Sequence, residues 1–472
     1  MTKQNQRFIK KVFFFAIIVS TALFFFGCAK KGIEGLPPAS FEAEHEFISA
    51  DNSELTPVYI NYRYEQLTEK QKEIYVNIYN AVEEMYTGDL LLAKGAVKED
   101  ITAAVSAYYA DNPQHFWVAE SMENCWTATN NIGITLKKIG NAFSGIFGST
   151  GNADFTDYTD AYGRFTYTFD SAEKRDEARN ILKSVITEVI SGINPSDDIV
   201  QREIYLHDWL CDNCKYDDEA FEEFVKTGSV GSHKNCHTAY GAIVEKTATC
   251  AGYARAMQLL LSEAGIENRF ITGTRNDSSV GAAVAHAWNI VFIDGVPYHL
   301  DATGDDKDEW GVADGAYVEV KDDGKTYYNT GNRTEHRYFN ITDEQISLDH
   351  YNFVPQLAIS GQENYFTVKQ LNFEDTTASI KQGLTSELIN LHKTGKYYIE
   401  LYAGANLQDQ QQYLKVLVNG EDGMMYQCLK EANAMLGERY FRDDLVYYGM
   451  DEQSGIISIY TVPMETVAQK TE

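Results

Sequence analysis

The chain has 472 residues, of which 44% are hydrophobic and 13% aromatic, enough apolar material for two or three globular domains. Its formal net charge of −29 argues against nucleic acid and anionic lipid surfaces as partners, because an acidic surface repels their phosphate groups. Seven cysteines are too few for a disulfide scaffold in a chain of this length. We therefore expect an acidic globular protein.

Residues 1–28 carry a targeting signal. Four basic residues precede the uncharged apolar run VFFFAIIVSTALFFFG, which ends at Cys28. The segment resembles a bacterial lipoprotein signal in which Cys28 is lipidated. An uncleaved membrane anchor is the alternative, although the run is slightly short for one. Both interpretations predict an exported, membrane-tethered protein. Removal of the four basic residues changes the net charge from −29 to −33.

The segment 29–49 contains glycines and prolines and predicts a tether. An N-terminal domain of helical and mixed structure is predicted over 50–150. Its clearest helix follows Thr68, because Thr68 and Gln71 can form a capping box ahead of apolar residues at helical spacing. The stretch GSTGNADFTD then separates this domain from the next one.

A second domain of helices and strands is predicted over 151–352. One helix is expected to open with Asn194 as its N-cap and Pro195 as its first residue, and to run to about Cys214. Strands are predicted at 164–169, 270–274, 286–293 and 296–301.

The remainder, 353–472, predicts a small C-terminal α+β domain. Two strand patterns, KYYIELYA and GIISIY, flank a helix predicted near 424–436.

The stretch TATCAGYARAMQLLLSEAGI predicts an amphipathic helix that begins at Cys250. Thr249 is its expected N-cap and Gly265 its stop signal. Cys250 then lies in the first turn, where unpaired N–H groups and the positive end of the helix dipole favour a thiolate. A small core residue is the alternative, because most free cysteines pack in this way.

The stretch AHAWNIVFIDGVPYHLDAT predicts a β-hairpin with a two-residue turn at Asp294-Gly295. The register of this turn sets His286 opposite Thr303 and makes Asp301 a diagonal neighbour of His286, about 7–8 Å away at the backbone. A carboxylate near an imidazole fixes its tautomer, and an imidazolium lowers the pKa of a nearby thiol. Together with the helix-start thiol, this pair has the pattern of a Cys-His-Asp triad.

Several separated motifs now make the chain recognisable. TAYGAIVEKTATCAGYARAMQLLLSEAGI followed by HAWNIVFIDGVPYHLDAT closely resembles the core of the transglutaminase-like superfamily, with YLHDWLCDNCKYD upstream and YFNITDEQISLDH downstream. The resemblance covers about 197–351. It implies an α+β, papain-like core in which the nucleophile helix packs on an antiparallel sheet. It also implies that Cys250 is the nucleophile, His286 the general base and acid, and Asp301 the residue that orients the histidine.

The resemblance further implies acyl transfer from peptide or protein amides through a thioester, without a cofactor or metal. Cell-wall peptides are one candidate substrate. Water as the acceptor gives a protease or deamidase, and an amine gives a cross-linker. Tyr240 and Trp288 are candidates for the cleft, although Tyr240 fits a core position equally well. The N–H of Cys250 is the expected oxyanion donor. Gly304 stands where many relatives have tryptophan, which leaves the shape of the cleft open.

Other cysteines and histidines suggest a second site. His207, Cys211 and Cys214 share a predicted helix, and Cys236 and His237 follow downstream. Their spacing fits no standard zinc pattern, which favours buried core over a metal site. A Cys214–Cys236 disulfide is a further alternative in an exported protein.

Two functions of different classes are consistent with these motifs. One is an exported cysteine enzyme acting at the cell envelope. The other is a non-catalytic envelope-binding lipoprotein that keeps the transglutaminase-like fold as a scaffold. The presence of Cys250, His286 and Asp301 together favours the enzyme.

Overall fold

The structure is a computed structural model. It describes residues 61–88, 90–118, 124–128, 137–139, 159–227, 232–277, 281–306, 317–320, 326–329, 334–404, 406–451 and 454–463. The predicted signal, tether and GSTGNADFTD linker lie outside the described residues. The described chain forms two compact units. The first runs up to Phe292 and includes Ser347–Pro355, and the second consists of Ile293–Ile346 and the residues from Gln356 onward.

The α-helices are numbered along the chain: α1 (Tyr62–Glu65), α2 (Glu69–Glu83), α3 (Lys98–Asp111), α4 (Ala172–Ser191), α5 (Ile199–Asn213), α6 (Asp218–Thr227), α7 (Cys250–Glu263), α8 (Ala302–Asp305), α9 (Asp343–Ile346), α10 (Tyr365–Val368), α11 (Thr377–Thr394), α12 (Leu407–Val418) and α13 (Met424–Leu436). A π-helix spans Gly241–Glu245, and a 3₁₀ turn spans Gly420–Asp422. Across the described ranges, no helix is both long enough and apolar enough to cross a membrane.

The strands are numbered in the same way: β1 (Leu90–Ala96), β2 (Asn124–Ala128), β3 (Lys137–Ile139), β4 (Thr159–Arg164), β5 (Lys215–Tyr216), β6 (Thr247–Ala248), β7 (Asn268–Asp277), β8 (Ala282–Ile293), β9 (Val296–Leu300), β10 (Tyr317–Val320), β11 (Thr326–Asn329), β12 (His350–Tyr351), β13 (Tyr398–Tyr402), β14 (Phe441–Asp451) and β15 (Ile456–Pro463). Most of the pairings are antiparallel, and only the short β5–β6 pair is parallel among those with a described register.

The first unit begins with helices packed beside a four-stranded antiparallel sheet, whose order is β1-β4-β2-β3. The predicted capping box of α2 is confirmed. Thr68 Oγ1 accepts the N–H of Gln71 at 3.4 Å, and Gln71 Oε1 accepts the N–H of Thr68 at 3.0 Å. This reciprocal cap satisfies two backbone donors that a helix start otherwise leaves without partners.

A second antiparallel sheet in this unit carries β7 between β12 and β8. Along β7 and β8 the register is regular and sets Gly273 opposite His286 and Phe270 opposite Asn289. The strands predicted at 270–274 and 286–293 are therefore confirmed, and both extend beyond their predicted limits. The longer strands provide the surface on which α7 packs.

Helix α7 is buried along its whole length, with all 14 residues inaccessible to solvent or nearly so. Such burial requires partners for its polar side chains. Arg255 Nη1 donates to the carbonyl of Tyr109 at 2.5 Å, and Gln258 Nε2 donates to the carbonyl of Ala110 at 2.8 Å. Both carbonyls lie in the last turn of α3, at the negative end of its dipole. The guanidinium of Arg255 also lies 4.8 Å from the ring centroid of Phe270.

Helix α5 begins later than predicted, at Ile199 and not at Pro195. Asp198 is its N-cap: the Asp198 carboxylate accepts the N–H of Gln201 at 2.8 Å, and the Gln201 side chain accepts the N–H of Asp198 at 3.0 Å. Asn194 lies in a preceding turn. The reciprocal capping box satisfies more backbone donors than a single asparagine cap does, which explains the later start.

The prediction of a strand at 164–169 is also wrong in its position. Strand β4 ends at Arg164, and beyond it Tyr167 forms an isolated bridge with Val118. The Tyr167 hydroxyl donates to the carbonyl of Ala81 at 2.9 Å. Tyr167 therefore packs near the end of α2 and does not belong to a continuous strand.

The second unit contains a three-stranded antiparallel sheet in the order β13-β15-β14. The two C-terminal strands and the intervening helix predicted from the sequence are confirmed, and α13 spans Met424–Leu436 as expected. Helices α11 and α13 pack against each other, and α13 also contacts β14. Strands β10 and β11 form a separate antiparallel pair in this unit.

Glu263, the last residue of α7, makes the free energy of unfolding depend on pH. Burial raises the pKa of Glu263 from 4.5 to about 8. The folded chain therefore keeps a proton that the unfolded chain releases, and the stability contributed by this carboxyl is present at low pH and lost as the pH rises toward 8. Relative to the wild type, Glu263→Gln should gain up to about 1.4 kcal/mol in free energy of unfolding for each pH unit across that window.

Urea denaturation of both proteins between about pH 5 and about pH 8 measures this difference. Glu431, an exposed residue of α13, provides the matched control, and Glu431→Gln should follow the wild type. If the free energies of unfolding of Glu263→Gln and the wild type changed with pH in parallel, the raised pKa of Glu263 would be contradicted.

Candidate functional site

Cys250 is the first residue of α7, as predicted, and is 6% exposed. Thr249 occupies the N-cap position with φ −92° and ψ 178°. Its side chain makes no capping hydrogen bond to the helix. The thiol thus lies in the first turn of α7, which the side chain of the preceding residue does not cap.

Close packing holds this first turn against the segment 236–238. A Cβ atom at Gly252 would lie 2.5 Å from the carbonyl oxygen of Cys236 and 2.7 Å from the Cβ of Ala248. No side chain larger than hydrogen fits there unless the backbone moves. Thr249 N–H donates to the same Cys236 carbonyl at 2.8 Å. These contacts fix the start of α7 from two sides.

The strand that carries His286 is anchored to α7. Asn289 Nδ2 donates to the backbone carbonyl of Ala254 at 2.9 Å, and both residues are buried. Ala251, Ala254 and Ala287 share one buried hydrophobic cluster. The residues next to Cys250 and next to His286 in the sequence therefore pack in the same cluster.

Two side chains of β8 form an aromatic group with His350 of β12. The ring of His286 stacks on Trp288, with 5.9 Å between centroids and 23° between planes. The ring of His350 lies edge-on to both, at 5.2 Å from His286 and 4.9 Å from Trp288. Trp288 therefore contacts the imidazole directly, and all three rings are buried.

His350 was not among the site residues predicted from the sequence. It lies on β12, opposite Arg275, and its Nδ1 is 2.7 Å from the carboxylate of Asp349. Only the downstream motif YFNITDEQISLDH contained it. His350 lies in a two-residue strand, far from His286 in the sequence. No local sequence pattern predicts a contact between them, and only the folded structure reveals it.

The turn predicted between β8 and β9 is present. Strand β8 ends at Ile293 and β9 begins at Val296, and between them Asp294 and Gly295 have φ values of 51° and 79°. Positive φ at both positions is the requirement of a type I′ turn.

The predicted strand pairing does not continue as far as Thr303, however. Strand β9 ends at Leu300, and Thr303 belongs to the short helix α8. The carbonyl of Asp301 accepts the N–H groups of Gly304 at 3.0 Å and Asp305 at 3.2 Å, which turns the chain into a helix. The expectation that His286 lies opposite Thr303 in a ladder is therefore wrong. Asp301 itself is 1% exposed at the start of this turn.

Gly304 is explained by its neighbours in the same unit. A Cβ atom at this position would lie 2.6 Å from Cδ2 of Tyr338 and 2.7 Å from Oδ2 of Asp301. The Asp301 N–H donates to the carbonyl of Tyr338 at 3.3 Å. The ring of Tyr338 packs so closely on the backbone that it excludes a larger residue at position 304.

Tyr240 contacts aromatic side chains. Its ring stacks on Phe116 with 4.8 Å between centroids, and meets the edge of Phe169 at 6.1 Å. Burial, and to a smaller extent the charge of Glu245, raises the pKa of the Tyr240 hydroxyl. These are the contacts of a packing residue, and they support the core interpretation of Tyr240.

No disulfide joins the five cysteines whose side chains are described: Cys211, Cys214, Cys236, Cys250 and Cys428. The disulfide considered between Cys214 and Cys236 is therefore not formed. The Cys214 thiol lies 3.8 Å from the carbonyl of Lys215, and the Cys211 sulfur lies 3.9 Å from Nε2 of His207.

A comparison with known protein families supports the predicted core. Residues 186–314 match the family model of the transglutaminase-like superfamily. The chain is similar to the crystal structure of a TGase, with 12% identity over 36% of this chain and 46% of that chain and a TM-score of 0.24. It is also similar to a proposed cysteine protease from Cytophaga hutchinsonii, with 17% identity over 38% of this chain and 61% of that chain and a TM-score of 0.21.

The matched regions span less than two thirds of either solved chain. No curated protein matches the sequence. The family match, together with antiparallel sheets and packed helices, confirms an α+β fold with a transglutaminase-like core.

Proposed function

We propose that this chain, whose residues 186–314 match the family model of the transglutaminase-like superfamily, is a cysteine enzyme that transfers acyl groups from peptide amides. The observation that carries the proposal is the position of Cys250. It begins a fully buried helix, and that helix is bonded to the strand of His286 through Asn289. A thiol in such a first turn is favoured as the thiolate, which is the nucleophilic form.

The proposed reaction has two steps. The imidazole of His286 takes the thiol proton, the sulfur of Cys250 bonds to the amide carbonyl carbon, and the carbon–nitrogen bond breaks. The leaving amine receives its proton from the imidazolium. Water or a second amine then attacks the thioester, gives its proton to His286 and releases the sulfur. First-turn N–H groups of α7, including that of Cys250, stabilise the oxyanion in both steps.

Asp301 is proposed to orient His286 and to stabilise its imidazolium form. The support is the sequence pattern of the hairpin and the match of the HLDAT motif to the superfamily resemblance. Trp288 is proposed to hold the imidazole plane through their stacked rings.

Nucleophile identity is tested by Cys250→Ala, which should abolish turnover because no other group can form the thioester. Cys428→Ala is the matched control. Cys428 is also a buried cysteine on a helix, but burial raises the pKa of its thiol and its variant should retain full activity. Purified full-length protein is incubated with casein or peptidoglycan peptides and an amine donor. Ammonia release, cleavage and amine incorporation are measured separately.

The three products separate a deamidase, a protease and a cross-linker. Circular dichroism confirms that each variant is folded. A folded Cys250→Ala variant with undiminished activity would exclude the mechanism. If no product forms with any substrate, and Cys250 alkylates no faster than Cys428 below about pH 8.5, the non-catalytic scaffold becomes the better account.

The role of Asp301 is tested by Asp301→Asn. If the carboxylate only orients the imidazole, turnover should fall by about 10²–10⁴-fold while KM changes little, by analogy with orienting carboxylates elsewhere. Steady-state kinetics on the reaction identified above measures both constants. Unchanged kcat in a folded variant would remove Asp301 from the site.

We further propose that the protein is exported and anchored through a lipid on Cys28. The support is the basic segment and apolar run that precede this cysteine. In a bacterial host that makes lipoproteins, the full chain should be recovered with the membrane, and deletion of residues 1–28 should release it. Mass spectrometry should find lipidated Cys28 as the mature N-terminus. Recovery of the native chain from the cytoplasm would contradict export and anchoring alike.

A further inference from the structure

The segment 334–341 is bonded to the part of the chain that carries Asp301. The N–H of Asp301 donates to the carbonyl of Tyr338 at 3.3 Å, and the carboxylate of Asp305 accepts the N–H of Tyr338 at 2.9 Å. The backbone carbonyl of Asp305 also accepts the N–H of Glu335 at 2.7 Å. The turn that begins at Asp301 is therefore held to this segment by three hydrogen bonds.

Two side chains of β13, in the three-stranded sheet of the second unit, bind the same segment. Glu400 Oε2 accepts the backbone N–H of His336 at 3.1 Å, and Nδ1 of this histidine lies 3.1 Å from the same oxygen. Tyr398, two residues earlier on the same face of the strand, donates its hydroxyl to the carbonyl of Thr334. The bond from the backbone N–H to Glu400 does not depend on which ring nitrogen of His336 carries a proton.

The bond between Glu400 and His336 is enclosed by the protein. Both residues are buried, and the ring of His336 stacks on Tyr365 of α10 with 3.5 Å between centroids and 10° between planes. Removal of the acceptor would leave a buried N–H group without the oxygen that satisfies it, which is unfavourable. The segment would then shift to reach another acceptor or water, and the turn bonded to it would follow.

We propose that Glu400 is a positioning residue for acyl transfer: it fixes the segment 334–341 and, through that segment, the backbone of Asp301. This role rests on the function proposed above, in which Asp301 orients His286. It gives the C-terminal α+β domain a part in catalysis, because a side chain of its sheet holds the turn that carries the orienting carboxylate. Glu400 acts through Asp301 and not on the substrate.

Glu400→Met tests this role, since methionine keeps the length of the side chain and removes the acceptor oxygens. Its kcat should fall by about 10- to 100-fold, as for a small displacement of a catalytic group, with little change in KM. Glu400→Gln keeps an acceptor oxygen for the N–H of His336 and should stay within a few-fold of the wild type. An unchanged kcat in folded Glu400→Met would overturn the proposal.

Asn433→Leu is the matched control in the same domain. Asn433 is a buried residue of α13 whose Nδ2 donates to the carbonyl of Phe441 and whose Oδ1 accepts the N–H of Phe441, both at 2.9 Å. Its replacement also removes a buried bond from a side chain to the backbone, so general weakening of the domain affects both variants. Folded Asn433→Leu should keep the kcat of the wild type. A loss as large as that of Glu400→Met would show that Glu400 only supports the fold.

The double variant of Glu400→Met with Asp301→Asn separates positioning from an independent effect on the enzyme. If Glu400 acts only through the carboxylate of Asp301, the double variant should have the same kcat as Asp301→Asn alone. A kcat that falls further, by the full factor seen for Glu400→Met alone, would overturn the proposal.

Amide hydrogen exchange on the full-length protein gives a test that needs no turnover. Peptides that cover 301–305 and 334–341 should exchange faster in Glu400→Met than in the wild type, and Asn433→Leu should leave them unchanged. Equal exchange in Glu400→Met and the wild type would overturn the proposal even if kcat fell. If the wild type is inactive on every acyl donor while exchange responds to Glu400→Met, the proposed function fails and the structural link from Glu400 to Asp301 stands.

Discussion

The burial of α7 on all sides is the constraint on which the rest of the first unit depends. A helix with arginine and glutamine side chains can be buried at low cost only if other elements supply their partners. The carbonyls at the end of α3 accept from Arg255 and Gln258, so the negative end of one helix dipole compensates a cation on another helix. Loss of α3 would leave a buried charge without this compensation, which is why the N-terminal helices belong to the same compact unit as the core.

The same constraint fixes the candidate site. Asn289 links β8 to a carbonyl in the middle of α7, and Gly252 allows the segment 236–238 to contact the first turn. Cys250 is thereby held at one end of a rigid helix, and His286 on a strand bonded to it. Catalytic groups on rigid elements need no ordering when a substrate binds, which lowers the entropic cost of reaching the transition state. The aromatic contacts of His286 with Trp288 and His350 restrict its ring in the same way.

The sequence predicted features that depend on neighbouring residues. The helix start at Cys250, the Thr68 capping box and the turn at Asp294-Gly295 follow local rules of capping and positive φ. Features that depend on a choice between two helix starts, or on contacts between segments remote in sequence, were missed. Asn194 was the predicted cap of α5, but the reciprocal bonds between Asp198 and Gln201 start the helix later. The contact of His350 with His286 joins remote segments, and the Thr249 side chain bonds to Cys236 and His237 instead of capping α7.

The proposed chemistry requires Cys250 to carry the acyl group as a thioester. Trapping that intermediate tests it most directly: the folded protein is mixed briefly with an activated ester, quenched in acid, digested and examined by mass spectrometry. One acyl adduct, labile to hydroxylamine, is expected on the peptide that contains Cys250, and none on peptides with the other buried thiols. Equal labelling of several cysteines, or no adduct on Cys250 in the folded protein, would contradict it.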